Sequence, residues 1–207
     1  MGLAKLILIS MVSLVSLAAP SLAAGDFQTD SASTANLRLI QNISATALSA
    51  NIETVADQSF LTAGRHQFRS LWTRDFCHAV RGLLILKRTD VVRNQLDLIF
   101  LNLRQDGLVP RTLDSIPAQE RVAITVATTA AQNYLPAALR PGLSQSFSIP
   151  LSINLKPEYV DENKTESIDG NTLVILASLQ YFAATGDEAW LRSHLDDFTK
   201  NKTFTSN

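Results

Sequence analysis

"FRSLWTRDFCHAVRGLLILKRTDVVRNQLDLIFLNLR", residues 68–104, holds two apolar-rich segments split by a charged joint. "DFCHAVRGLLILKR" and "TDVVRNQLDLIFLNLR" both repeat apolar residues at helical spacing, with Thr89 or Asp90 placed to cap the second. A joint this short forces consecutive helices to lie antiparallel. The stretch therefore predicts a helical hairpin and points to an all-α fold.

The entrance to that hairpin is crowded. Asp75 directly before an apolar run suits an N-cap, where a carboxylate accepts a backbone N–H and complements the helix dipole. The same dipole disfavours a cation, so capping leaves Arg74 unexplained. Trp72, Arg74 and Asp75 together suit a sugar: the ring stacks against C–H surface, and the guanidinium fork and carboxylate take vicinal hydroxyls.

Working outward, residues 35–56 read as a helix carrying Leu37, Leu39, Ile40, Ile43, Leu48 and Ile52, and "DQSFLTAGRHQF" as a connector. After the hairpin, Asp106-Gly107 in "RQDGLVPRTLDS" marks a turn, beyond which Arg111 and Asp114 can reach toward the helix ends. Residues 111–167 lack long periodicity and hold five prolines, with a small β excursion possible around "SQSFSIPLSINL".

A second helical pair follows. "DGNTLVILASLQYFAAT" is apolar nearly all round and should be buried on several sides, whereas "GDEAWLRSHLDDFTK" carries Trp190, Leu191, Leu195 and Phe198 on one side, with Asp187 or Gly186 near its start. One inner and one outer helix, repeated, suggests a two-layer helical ring. "ESIDGN" leads into this pair: Asp169 fits either a cap or a carboxyl tuned for proton transfer, with Glu166 three residues before it.

Composition narrows the class. Residues 1–24 read as a secretory signal, with Lys5, an apolar run and small residues before a cut after Ala23 or Ala24, leaving a domain over 25–207 that is secreted or periplasmic. Its removal takes the formal charge from −1 to −2, against a nucleic-acid partner, and no later run is long enough for a membrane span. Cys77 is the single cysteine, so no intramolecular disulfide forms, and a buried thiol is the simplest role for it. Asn42, Asn163 and Asn201 begin glycosylation sequons that matter only on a eukaryotic export route. His66, His78 and His194 have no zinc spacing, and nucleotide, calcium and serine-hydrolase motifs are absent, so neither metal nor cofactor is expected.

"FRSLWTRDFCHAVRGLL", "DGLVPRTLDS" and "SIDGNTLVILASLQYFAATGDEAWL", in that order, resemble the (α/α)6-barrel glycosidases of the amylo-α-1,6-glucosidase and glucoamylase type across roughly residues 60–198. The resemblance implies antiparallel hairpins forming part of an (α/α)6 toroid, an oligosaccharide or α-glucoside substrate, and inverting acid/base hydrolysis. It implies that Trp72, Arg74, Asp75 and Arg111 hold the sugar, and that Asp169 is the general acid with Glu166 as its substitute. It also implies more hairpins than this chain holds, so the chain reads as an N-terminal portion whose general base belongs to a missing C-terminal half. A catalytically incompetent carbohydrate-binding protein, or a scaffold whose motifs are only caps and turns, are the competing expectations.

Overall fold

A computed structural model of the protein describes residues 31–64, 69–116, 154–161 and 163–205, with scattered positions between 120 and 136. The expected signal peptide and "SQSFSIP" lie outside the described residues. Those described are mostly helical: α1 (Ser31–Ala50), α2 (Thr73–Ile85), α3 (Thr89–Leu101), α4 (Asp169–Thr185), α5 (Glu188–Ser193) and α6 (Leu195–Thr205). Five short strands, β1 (Ile52–Val55), β2 (Gln58–Leu61), β3 (Leu71–Trp72), β4 (Thr112–Asp114) and β5 (Lys156–Glu158), add a small β part to the all-α expectation. They form an antiparallel β1–β2 hairpin and a three-stranded antiparallel sheet ordered β3-β4-β5; β4 and β5 fall within 111–167 but not in "SQSFSIPLSINL", where the sequence placed its β excursion. No described helix is long and apolar enough to cross a membrane.

The chain divides into two units, residues 1–41 and 42–207. In the first, Leu37, Leu39 and Ile40 of α1 are exposed, so the apolar spacing read there does not mark a buried stripe. The second unit carries the core. Helix α2 packs most extensively on α4 and also meets α3, whose other neighbours are β2 and α4. Phe76, Val80, Leu83, Val92, Leu96, Ile99, Val174 and Trp190 fill the space between them. Cys77 joins this cluster, and burial pushes its thiol up to about 12, which keeps it in the protonated form of a buried apolar side chain.

Several boundaries differ from the sequence reading. The helix over 35–56 stops at Ala50, and Ile52 instead pairs with Leu61 across the β1–β2 hairpin. Buried Gln95 on α3 supports that hairpin: its side-chain amide accepts from Leu61 N at 2.8 Å and donates to Leu61 O at 3.2 Å, as a neighbouring strand would. Leu86, Lys87 and Arg88 alone join α2 to α3, with Lys87 at φ 58°, and Arg88 rather than Thr89 or Asp90 occupies the cap.

The second pair is also modified. Helix α4 is apolar nearly all round yet buried on one side only: Val174, Ala177, Ser178 and Tyr181 face the core while Leu176 and Leu179 are exposed. The outer helix breaks at His194 into α5 and α6, and Leu195 turns outward. His194 lies between Asp97 (Nε2···Oδ1 3.0 Å) and Asp197 (Nδ1···Oδ2 2.9 Å) and stacks on Phe100, so the break is packed against α3. Asn201 is fully buried on α6, so its sequon offers no room for a glycan on the folded protein.

Asp187 caps α5 by accepting from Trp190 N at 3.0 Å. That bond first, then the Tyr181 hydroxyl and nearby Arg93, holds its carboxyl below the ordinary range. A lowered folded value means that the stabilisation is complete above the unfolded carboxyl's range and disappears as pH falls through the folded value. In urea unfolding, the deficit of Asp187→Ala relative to wild type should therefore be full at neutral pH and shrink below about pH 4. A deficit of constant size across that interval would show that the charge is not what stabilises the cap.

Candidate functional site

The local geometry begins where β3 runs into α2. Trp72 is extended (φ −88°, ψ 117°) because it pairs with Thr112, and Thr73 turns the chain into the helix. Thr73 N donates to Arg111 O at 3.0 Å and Thr73 Oγ1 to Pro110 O at 2.5 Å, so the helix start is tied to the strand beside it. Asp75 is consequently the third helical residue and not the cap, which corrects the simplest reading of "WTRD".

The second wall is the start of α4. Its cap position is Ile168 and Asp169 is the first helical residue, so Asp169 is not a cap either. Asp169 instead accepts from Ser167 Oγ at 3.1 Å and forms an ion pair with Arg74 Nη2. Gly170 and Asn171 follow at the buried base of the helix, where Asn171 Oδ1 accepts from Val109 N at 3.1 Å and Nδ2 donates to Gly107 O at 2.8 Å. Through this amide, α4 is held to the loop that carries Pro110 and Arg111.

These walls enclose a cavity of about 510 Å³ lined by Trp72, Arg74, Asp75, Arg111, Glu166 and Asp169, with Thr73, Pro110, Asp161, Thr165, Ser167, Ile168 and Gly170 completing it. All six site residues expected from sequence therefore border one space. Asp114 does not join them; it is buried on β4, where one carboxylate oxygen accepts from Ile116 N.

The side chains in the cavity differ in how firmly they are held. Glu166 accepts from Arg104 at 2.6 Å, and Arg104 also grips Asp106 and lies over the Tyr159 ring. The bonds to Asp106 and then Glu166 raise the guanidinium above its usual range, while Arg104 holds Asp106 below the ordinary carboxyl range. Arg111 has no ion pair among the described residues; its guanidinium sits 4.7 Å from the centroid of the Trp72 ring. The Trp72 indole Nε1 is buried without a hydrogen-bond partner. Asp75 is exposed, and no described residue bonds its side chain.

Sequence reasoning missed Arg104, Asp161 and Ser167. Asp161 Oδ1 accepts from the amides of Asn163 and Thr165 and shapes the loop entering the cavity. The Arg104-Gln105-Asp106 spacing was the available signal for the first, since a single residue separates partners that pair ahead of the Gly107 turn.

Among the described residues, no group of His, Cys, Asp and Glu side chains is arranged to hold a metal ion. The cavity brings together paired donors and acceptors, an aromatic ring under a guanidinium, and carboxylates near the starts of two helices. No protein-family model matches the chain, and no curated protein matches it.

Proposed function

We propose that this cavity is the sugar subsite of an α-glucoside-active glycoside hydrolase of the inverting type, built on part of an (α/α)6 toroid and exported from the cell. The observation that carries the reading is the convergence of Trp72, Arg74 and Asp75 with Glu166 and Asp169, about ninety residues apart in sequence, around one cavity. Arg74 and Asp169 bridge the starts of two helices, one a donor fork and the other an acceptor, as vicinal hydroxyls require.

In the free chain Asp169 accepts from both of its partners. Protonating a glycosidic oxygen would require the ligand to part it from Arg74 and a proton to enter; sugar hydroxyls taking up the guanidinium would achieve the first step. Inversion also needs a second carboxylate across the sugar, roughly 6.5–9.5 Å from the acid. Carbohydrate binding without hydrolysis is the second reading, and a specific observation favours it: both candidate acids, Asp169 and Glu166, are engaged by arginines.

Calorimetry with maltose and hydrolysis of p-nitrophenyl α-glucoside separate the two. Arg74→Ala should weaken maltose binding about tenfold or more, as expected for losing a charge-assisted bond. Under the hydrolase reading, Asp169→Asn lowers turnover at least about a hundredfold. Binding with no turnover in wild type supports the second reading, and unchanged turnover in Asp169→Asn removes Asp169 from the chemistry.

A further inference from the structure

Arg111 occupies the place where a sugar ring would stack. Its backbone cannot move aside, because Arg111 N donates to Glu158 O at 2.7 Å and Arg111 O accepts from Thr73 N at 3.0 Å. Its side chain is held differently. No carboxylate among the described residues pairs with it, although Asp75, Asp161, Glu166 and Asp169 all border the same cavity. What retains the guanidinium is the Trp72 face, 4.7 Å below it.

We infer that Arg111 is a displaceable cover on the Trp72 subsite, a side chain that the ligand must lift from the ring before its own C–H face can stack there. The inference rests on the sugar reading above and specifies which residue limits affinity at that site. Arg111 is thus a specificity-determining residue that works by competition. Only a ligand face able to replace a cation on the indole gains the position. Once lifted, the guanidinium still borders a cavity containing the carboxylate of Asp75, which no described residue bonds, and has a polar destination within it.

Trp72 also leaves a signature of the covered state. Its Nε1–H is buried with no partner, an arrangement a native fold seldom leaves unresolved, and its emission reports the loss of a cation from the ring face. The chain has two tryptophans, so replacing Trp190 makes Trp72 the sole indole reporter.

The test uses Trp190→Phe protein, alone and combined with Arg111→Ala or Arg111→Lys, followed by tryptophan emission and titrated with maltose. The expected result has two parts. Without sugar, Arg111→Ala changes the Trp72 emission; with sugar, it binds about three- to tenfold more tightly than its parent, and Arg111→Lys falls between. Weaker or unchanged maltose affinity in Arg111→Ala, with binding intact in the parent, overturns the cover and makes Arg111 an ordinary sugar contact or a bystander. Absence of maltose binding in every protein overturns the sugar reading itself and the cover with it. Should Trp190→Phe fail to fold, the same affinity comparison by calorimetry in the wild-type background decides between the same outcomes.

Discussion

Gly107→Ala should destabilise the protein by about 2–5 kcal/mol, combining the cost of a strained backbone with that of overpacking. Gly107 follows α3 at φ 92°, a conformation that residues with a Cβ rarely adopt. Space is the second obstacle: a Cβ built there would lie 2.1 Å from the carbonyl oxygen of Lys200 and 2.5 Å from its carbon. Both are backbone atoms of α6, so no rotamer change relieves the clash. The helix must shift or the turn must open, and urea unfolding of wild type and variant measures the outcome. A loss under about 0.5 kcal/mol, the usual effect of a neutral surface change, would mean that α6 does not press on this turn.

Asn171→Ala should cost a similar amount, about 2–4 kcal/mol, by a different route. The side chain is fully buried and satisfies both Val109 N–H and Gly107 C=O, so truncation leaves a buried donor and a buried acceptor with nothing in exchange. Each such orphan costs roughly 1–3 kcal/mol. Because Asn171 binds the carbonyl of Gly107 itself, the two substitutions should not add: the double variant should lose less than the sum of the two. Additive losses in a double-mutant cycle would show that the turn and the amide are independent.

These two positions show why part of the structure was readable in advance. The helices α2, α3 and α4 were legible because their apolar runs are long and their joints short. The cavity residues were legible because "WTRD" and "ESIDGN" place charge where helices begin. Their exact placement was not legible. Asp75 and Asp169 resemble caps in sequence, but pairing of Trp72 with Thr112 starts α2 at Thr73, and α4 takes Asp169 as its own first residue.

The β1–β2 hairpin escaped for a reason of turn chemistry. Ala56 and Asp57 both take positive φ, 49° and 66°, which Asn-Gly or Asp-Gly would normally announce. "VADQ" carries no such signal, and Ile52 continues the helical spacing of α1 by coincidence. Gln95 was the available clue: an amide amid the apolar positions of α3 needs partners, and it finds them on Leu61. The break at His194 was invisible because Trp190, His194 and Phe198 keep helical spacing through it, all three reaching toward Phe100.

The central claim concerns where a sugar binds, and the two indole N–H signals test it directly. In ¹H–¹⁵N spectra of the intact protein titrated with maltose, the Trp72 indole and the amides of residues 165–170 should shift saturably. The Trp190 indole, buried and bonded to Asp97 of α3, should stay in place. A spectrum that does not change with maltose, or one in which Trp190 moves and Trp72 does not, would contradict the account.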